Sequence, residues 1–272
     1  MFWFIMWGLL TALFTTLLSL IKAGWLIILW FILSLIIALL LVVVVIYFII
    51  IPIIFNKSKE TSKFHWFMTR QCAQFFLALC NTRVKVEGEE NIPDNLNILY
   101  VSNHKSLLDP VFVIYAVRRA MQIMGKIEIW QDMKYLTFLF KTVHVLKIDR
   151  NNDRKSMEEV MKGIKTLRGG KGVLVFPEGG IITRDVEQMV AIKAGAYKLA
   201  TKSNATILPM AIFGDSKFDK LPIFKHKEIR VRILKPIEPN EYENLTTLEL
   251  GQKVVEEVNE NYDEEKWEVR HE

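Results

Sequence analysis

Asn97-Ile98-Leu99-Tyr100-Val101-Ser102-Asn103-His104-Lys105-Ser106-Leu107-Leu108-Asp109-Pro110 is the stretch on which the reading of this chain turns. Its first six residues form a short apolar run of strand character, Asn97–Ser102. Asp109-Pro110 then reads as a helix start, with the Asp as N-cap and the Pro at the first helical position. Alternatively the helix begins at Ser106, and Pro110 still falls in its first turn. On one straight helix His104 and Asp109 would stand about 140° apart, so they meet only if the chain turns between them. A loop leading into a helix permits that turn. The carboxylate then holds one imidazole nitrogen and leaves the other to take up a proton as a general base. Taken alone, the stretch fits a capping Asp beside a surface His better.

Working outward, short β-branched runs alternate with helical segments from residue 84 onward. The expected strands are Val84–Glu87, Asn97–Ser102, Val143–Ile148, Gly172–Phe176, Thr206–Ile212 and Ile229–Leu234. The expected helices cover residues 110–119, 128–140, 153–168, 188–202 and 247–261. This alternation predicts an α/β fold, a mostly parallel sheet covered by helices. Sites in such sheets gather where strands end, and a second unusual segment, Phe176-Pro177-Glu178-Gly179-Gly180, lies at such an end. A carboxylate beside two glycines suits close approach of backbone to a ligand; a tight turn accounts for the composition as well.

Together the two segments resemble the glycerolipid acyltransferases, the family of 1-acylglycerol-3-phosphate acyltransferases. Asn103 to Asp109 is similar to the family's NHxSxxD block, and Phe176-Pro177-Glu178-Gly179 to its FPEG block, with 74 residues from His104 to Glu178. Leu208-Pro209-Met210-Ala211-Ile212 resembles a later apolar-proline strand, and Lys193-Ala194-Gly195-Ala196 the helix start between them. The resemblance covers residues 97 to 212. It implies that His104 deprotonates an acceptor hydroxyl and Asp109 orients it, with Asn103 and Ser106 of the same block among the substrate-binding residues. The oxygen then attacks an acyl thioester with no covalent acyl-enzyme, and the sequence has no GxSxG elbow. Glu178 and Gly179 would help hold the acceptor, and Arg150 and Lys126 its phosphate; an arginine fork suits phosphate bidentately. Two positions depart from the pattern. His144 and Lys147 stand where the second block has a glycine and an aromatic, and Gly180-Ile181 replaces Thr-Arg, leaving Arg184 to substitute. The implied reaction is acylation of the sn-2 hydroxyl of lysophosphatidic acid. Other acceptors (glycerol 3-phosphate, dihydroxyacetone phosphate, another lysophospholipid) and a non-catalytic lipid-binding role are the alternatives.

Ahead of this domain lie two apolar runs, Phe2–Ile21 and Trp25–Phe55, with Lys22 the one charged side chain in residues 1–55. A spanning helix needs about 20 apolar residues, so the runs predict a helical membrane hairpin or a re-entrant pair, the over-long second run tilting, bending near Pro52 or continuing along the interface. Lys57, Lys59, Lys63 and Arg70 follow, which places the rest of the chain on the cytoplasmic side of the cell membrane. Residues 56–82 carry aromatics at helical spacing, an amphipathic interfacial helix or one packed on a core. The acyltransferase domain is then 83–272. Net charge is +5, but residues 240–272 contribute −8 and residues 56–239 carry +12. A basic body suits anionic headgroups and phosphates, and no nucleic-acid signature accompanies it. Cys72 and Cys80 read as free thiols. No cluster suggests a metal, and the reaction calls for no cofactor beyond a donor carried on acyl carrier protein or coenzyme A.

Overall fold

The computed structural model describes residues 2–19, 27–46, 63–95, 97–127, 145–149, 151–216, 218, 222 and 225–262. The expected helix at 128–140, the bend at Pro52 and the positions of His144 and Arg150 lie outside the described residues. The chain divides into two compact units, Met1–Phe76 and Leu77–Glu272.

The first unit opens with helices α1 (Phe2–Ser19) and α2 (Ile27–Val44). Trp7 Nε1 donates to Leu35 O at 3.3 Å, and the hydroxyls of Thr15 and Ser34 lie 2.8 Å apart. These bonds tie the two helices together through polar groups that an apolar surrounding would otherwise strand. Ala38 and Val42 are buried, whereas Leu9, Leu13, Ile28 and Leu40 are exposed. Among the described residues no helix is long and apolar enough to cross a membrane. The expected spanning hairpin is thus not supported by the described residues, where α1 and α2 form a packed pair. The aromatic-rich stretch forms α3 (Lys63–Leu79), with Trp66 and Phe75 buried and Phe67 exposed. Cys72 and Cys80 are free, and burial pushes the Cys72 thiol up to about 11, so it stays protonated and unreactive.

In the second unit seven strands form one sheet among the described residues: β1 (Thr82–Glu87), β2 (Ile98–Ser102), β3 (Met121–Lys126), β4 (Leu146–Ile148), β5 (Gly172–Val175), β6 (Thr206–Phe213) and β7 (Lys227–Ile233). Their order is β1-β7-β6-β2-β5-β3-β4. The block from β6 to β4 is parallel throughout; β7 joins it antiparallel and pairs parallel with β1. Strands β2, β5 and β6 are buried at every position, as continuous apolar runs are when both faces of a sheet are covered. Alternation along β2 sends Leu99 and Val101 to one face. There they join a core with α5 (Asp153–Arg168), α6 (Lys198–Ser203) and α7 (Thr247–Glu260), through Leu167, Leu199 and Val254. The helix after β2, α4 (Asp109–Val117), contributes the buried Phe112, whose ring meets Phe218 edge-on at 5.2 Å.

Two expectations fail for local reasons. Strand β3 was not anticipated: Gln122, Gly125 and Lys126 interrupt its apolar run, yet it pairs with both β5 and β4. The expected helix at 188–202 is helical only from Ala194, first as a 3-10 turn to Tyr197 and then as α6. Residues 181–193 instead run irregularly, because side chains and loops elsewhere capture their backbone groups. Asn259 brackets Met189, accepting from its N–H at 2.9 Å and donating to its carbonyl at 3.0 Å, and Lys193 N donates to Pro177 O at 2.8 Å.

Leu167 is fully enclosed at the centre of this core. Leu167→Ala should lower unfolding stability by about 2–5 kcal/mol, measurable by chemical denaturation in detergent.

Candidate active site

Because β2 and β5 are adjacent and parallel, with Val101 paired to Val175, the chain leaves both at the same sheet edge. Residues 103–106 and 176–179, far apart in sequence, emerge there side by side. His104 Nδ1 donates to Asp109 Oδ2 at 2.8 Å. The same oxygen accepts from Lys105 N at 2.8 Å and Ser106 N at 2.9 Å. Asp109 is thus not the forward-looking cap expected from the sequence: Leu108 occupies the N-cap position, and the Asp109 carboxylate reaches back to bind the loop before it. Pro110 sits in the first turn, where its missing N–H costs nothing.

The His104 ring is stacked on Phe176, centroids 4.3 Å apart and planes 23° from parallel. Its Nε2 has no hydrogen-bond partner among the described residues, and the ring lines a cavity of about 720 Å³. A histidine with one nitrogen tied to a buried carboxylate and the other open to a cavity is equipped to accept a proton there. Leu107, Met124, Val160 and Ile181 give the cavity an apolar lining, and Lys126, Lys193 and Lys198 add positive charge.

The remaining expected residues divide between the loop's support and the cavity wall. Glu178 is buried; its Oε1 accepts from His104 N at 2.9 Å, and its Oε2 pairs with Lys105 Nζ at 2.9 Å and accepts from Val190 N at 3.2 Å. Asn103 joins the end of β2 to β6, accepting from Ile212 N at 2.8 Å and donating to Ile212 O at 3.0 Å. Ser106 Oγ accepts from Leu108 N at 3.1 Å, closing the turn before α4. Arg184 Nε donates to Lys105 O at 2.9 Å, so the arginine of the altered block lies against the histidine loop. Lys126, at the end of β3, Gly179 and Gly180 line the cavity. Gly179 has φ 72, the left-handed region that glycine occupies without strain. At Gly180 a Cβ would collide with the Lys126 Nζ, so the glycine admits the lysine. Arg150 lies outside the described residues.

Sequence reasoning missed three participants. Phe176 was part of a quoted block, but its stacking is visible only in three dimensions. The full burial of Lys105 and its pairing to Glu178 needed the adjacency of β2 and β5. Asp215 follows β6, a third strand ending at the same edge, and that position was the available signal.

The acyltransferase family model matches residues 83–213. A 1-acyl-sn-glycerol-3-phosphate acyltransferase of Borreliella burgdorferi is 27% identical over 195 residues, spanning 68% of this chain and 76% of that protein. A probable 1-acyl-sn-glycerol-3-phosphate acyltransferase of Mycoplasma pneumoniae is 27% identical over 205 residues, 69% of this chain and 74% of its own. In three dimensions the fold is like that of the 1-acyl-sn-glycerophosphate (LPA) acyltransferase PlsC from Thermotoga maritima. That likeness has a TM-score of 0.59 at 20% identity and covers 83% of this chain and 94% of that one.

Removing one member of a buried ion pair leaves an uncompensated charge. Glu178→Gln should therefore destabilise the protein by about 3–5 kcal/mol, seen as a lowered unfolding midpoint. Lys105→Met combined with Glu178→Gln should recover part of that loss.

Proposed function

Residues 83–213 belong to the acyltransferase family, and from that premise we propose that this enzyme moves a fatty acyl chain from a thioester donor to the sn-2 hydroxyl of lysophosphatidic acid, giving phosphatidic acid. The observation that carries the reading is the His104–Asp109 bond of 2.8 Å, with the other imidazole nitrogen open to the cavity. His104 Nε2 takes the proton from the acceptor hydroxyl as its oxygen attacks the thioester carbonyl. The tetrahedral intermediate then collapses, the C–S bond breaks, and the departing sulfur receives that proton from His104. Asp109 keeps the proton on Nδ1, so Nε2 begins as the acceptor, and it stabilises the imidazolium that forms in between.

The cavity's chemistry supports both substrates. Its apolar lining suits an acyl chain and its volume falls in the range of small-molecule sites, roughly 300–1,000 Å³. Lys126 supports the acceptor's phosphate, and Arg150 is assigned beside it by its place in the sequence. The donor is a thioester of acyl carrier protein or coenzyme A, in the service of phospholipid synthesis. The exposed apolar side chains of α1 and α2 support lodging that unit in the lipid of the cell membrane. The basic residues that follow the apolar runs support a cytoplasmic position for the catalytic unit.

Purified protein in liposomes, given labelled acyl thioester and lysophosphatidic acid, should form labelled phosphatidic acid. His104→Ala should reduce that rate by roughly a hundredfold to ten-thousandfold. Near wild-type transfer by the alanine variant, or release of free fatty acid without transfer, would overturn the assignment.

A further inference from the structure

Asp215 stands two residues beyond the end of β6, the strand beside β2, and nothing in the reaction described above uses it. Its side chain is wholly enclosed. Neither of its carboxyl oxygens meets a hydrogen-bond donor on another of the described residues, and Asp109 Oδ1 is likewise without one. The Asp109 carboxyl is close enough to that of Asp215 to act on it as a side-chain hydrogen-bond partner once one of the two carries a proton. Such a pair has acceptors on both sides and no donor unless one acid keeps a proton. Asp109 already receives three N–H donors on its other oxygen, a setting suited to a charged carboxylate. Asp215 receives only its own main-chain N–H, so the proton belongs on Asp215.

We propose that Asp215 is a positioning residue that remains protonated and donates its O–H to Asp109 Oδ1, fixing the carboxylate that holds His104. This rests on the acyltransfer reading, since the carboxylate so fixed is the one that orients the base. The groups around Asp215 agree with a retained proton. Burial and the negative charges of Asp109 on α4 and Glu187 in the 181–193 loop push its carboxyl well above the usual range, and only its own main-chain N–H acts the other way. Tyr262, beyond α7, is within electrostatic reach and is itself kept neutral by burial; its hydroxyl is committed to Ile212 O at 2.8 Å. Glu187 is anchored from Gly214 N at 2.7 Å and so holds the Asp215 turn without supplying Asp215 with a proton.

The arrangement has a thermodynamic signature. An Asp titrates near pH 4 when the chain is unfolded (about 3.9), while the folded protein keeps this proton at higher pH. Above that point the folded state binds more protons than the unfolded state. Its stability therefore falls as pH rises toward the folded-state value. Asp215→Asn cannot titrate and keeps an N–H donor for Asp109, whereas Asp215→Ala removes the donor altogether.

The test uses the full chain in detergent, comparing wild type, Asp215→Asn and Asp215→Ala. The Tm of Asp215→Asn should exceed that of wild type by a gap that widens between about pH 5 and pH 8. In acyl transfer to lysophosphatidic acid, Ala should lower kcat on the order of tenfold and Asn should recover most of that loss. A gap that stays constant with pH would show that Asp215 holds no proton. Equal rates for Ala and Asn would remove the positioning role. A wild type with no acyl transfer would overturn the functional reading, and the Tm gap would still decide where the proton sits.

Discussion

A carboxylate shielded from water must find its hydrogen bonds inside the protein, and the turn from β2 into α4 is built around that need at Asp109. One oxygen gathers the imidazole N–H of His104 and the amides of Lys105 and Ser106. Three donors on one oxygen leave the loop little freedom, because losing any of them strands a buried charge. The imidazole consequently has one orientation and one tautomer. Phe176 supports its face and Glu178 holds its backbone from the neighbouring strand end. In the proposed reaction this imidazole is the base, held in place before any substrate arrives, as proton abstraction by a fixed group requires.

The sheet's connectivity makes this convergence possible. Strands β6, β2 and β5 run parallel at the centre and release their chains at one edge, so segments from three places in the sequence meet without long loops. Asn103 ties the first to the third through both backbone groups of Ile212, and Glu178 ties the first to the second. Desolvating the two charges of the buried Lys105–Glu178 pair offsets much of their attraction, so breaking the pair costs more than its presence contributes.

Much of this was legible from residue patterns, for identifiable reasons. The runs Asn97–Ser102, Gly172–Phe176 and Thr206–Ile212 announced strands, which form at Ile98–Ser102, Gly172–Val175 and Thr206–Phe213, and helix α5 appeared with the predicted bounds, Asp153–Arg168. Strand β3 escaped because its polar positions and Gly125 broke the apolar run that identifies a strand. The 181–193 segment escaped because long-range hydrogen bonds to Asn259, Glu178 and Pro177 override its helical periodicity. The histidine and its carboxylate could be named only through the resemblance carried by the two blocks together; that Asp109 faces backward, with Asp215 as a neighbour of its other oxygen, depends on packing across strands. The apolar runs at the N-terminus announced helices, and α1 and α2 lie within them.

The central claim is that Asp109 makes His104 a base by holding it, and Asp109→Asn tests this most directly because it preserves shape while replacing the carboxylate with an amide. The account predicts a variant whose unfolding midpoint stays close to wild type but whose rate of labelled acyl transfer to lysophosphatidic acid falls by about a hundredfold or more. A folded Asp109→Asn enzyme transferring acyl groups at the wild-type rate would contradict it.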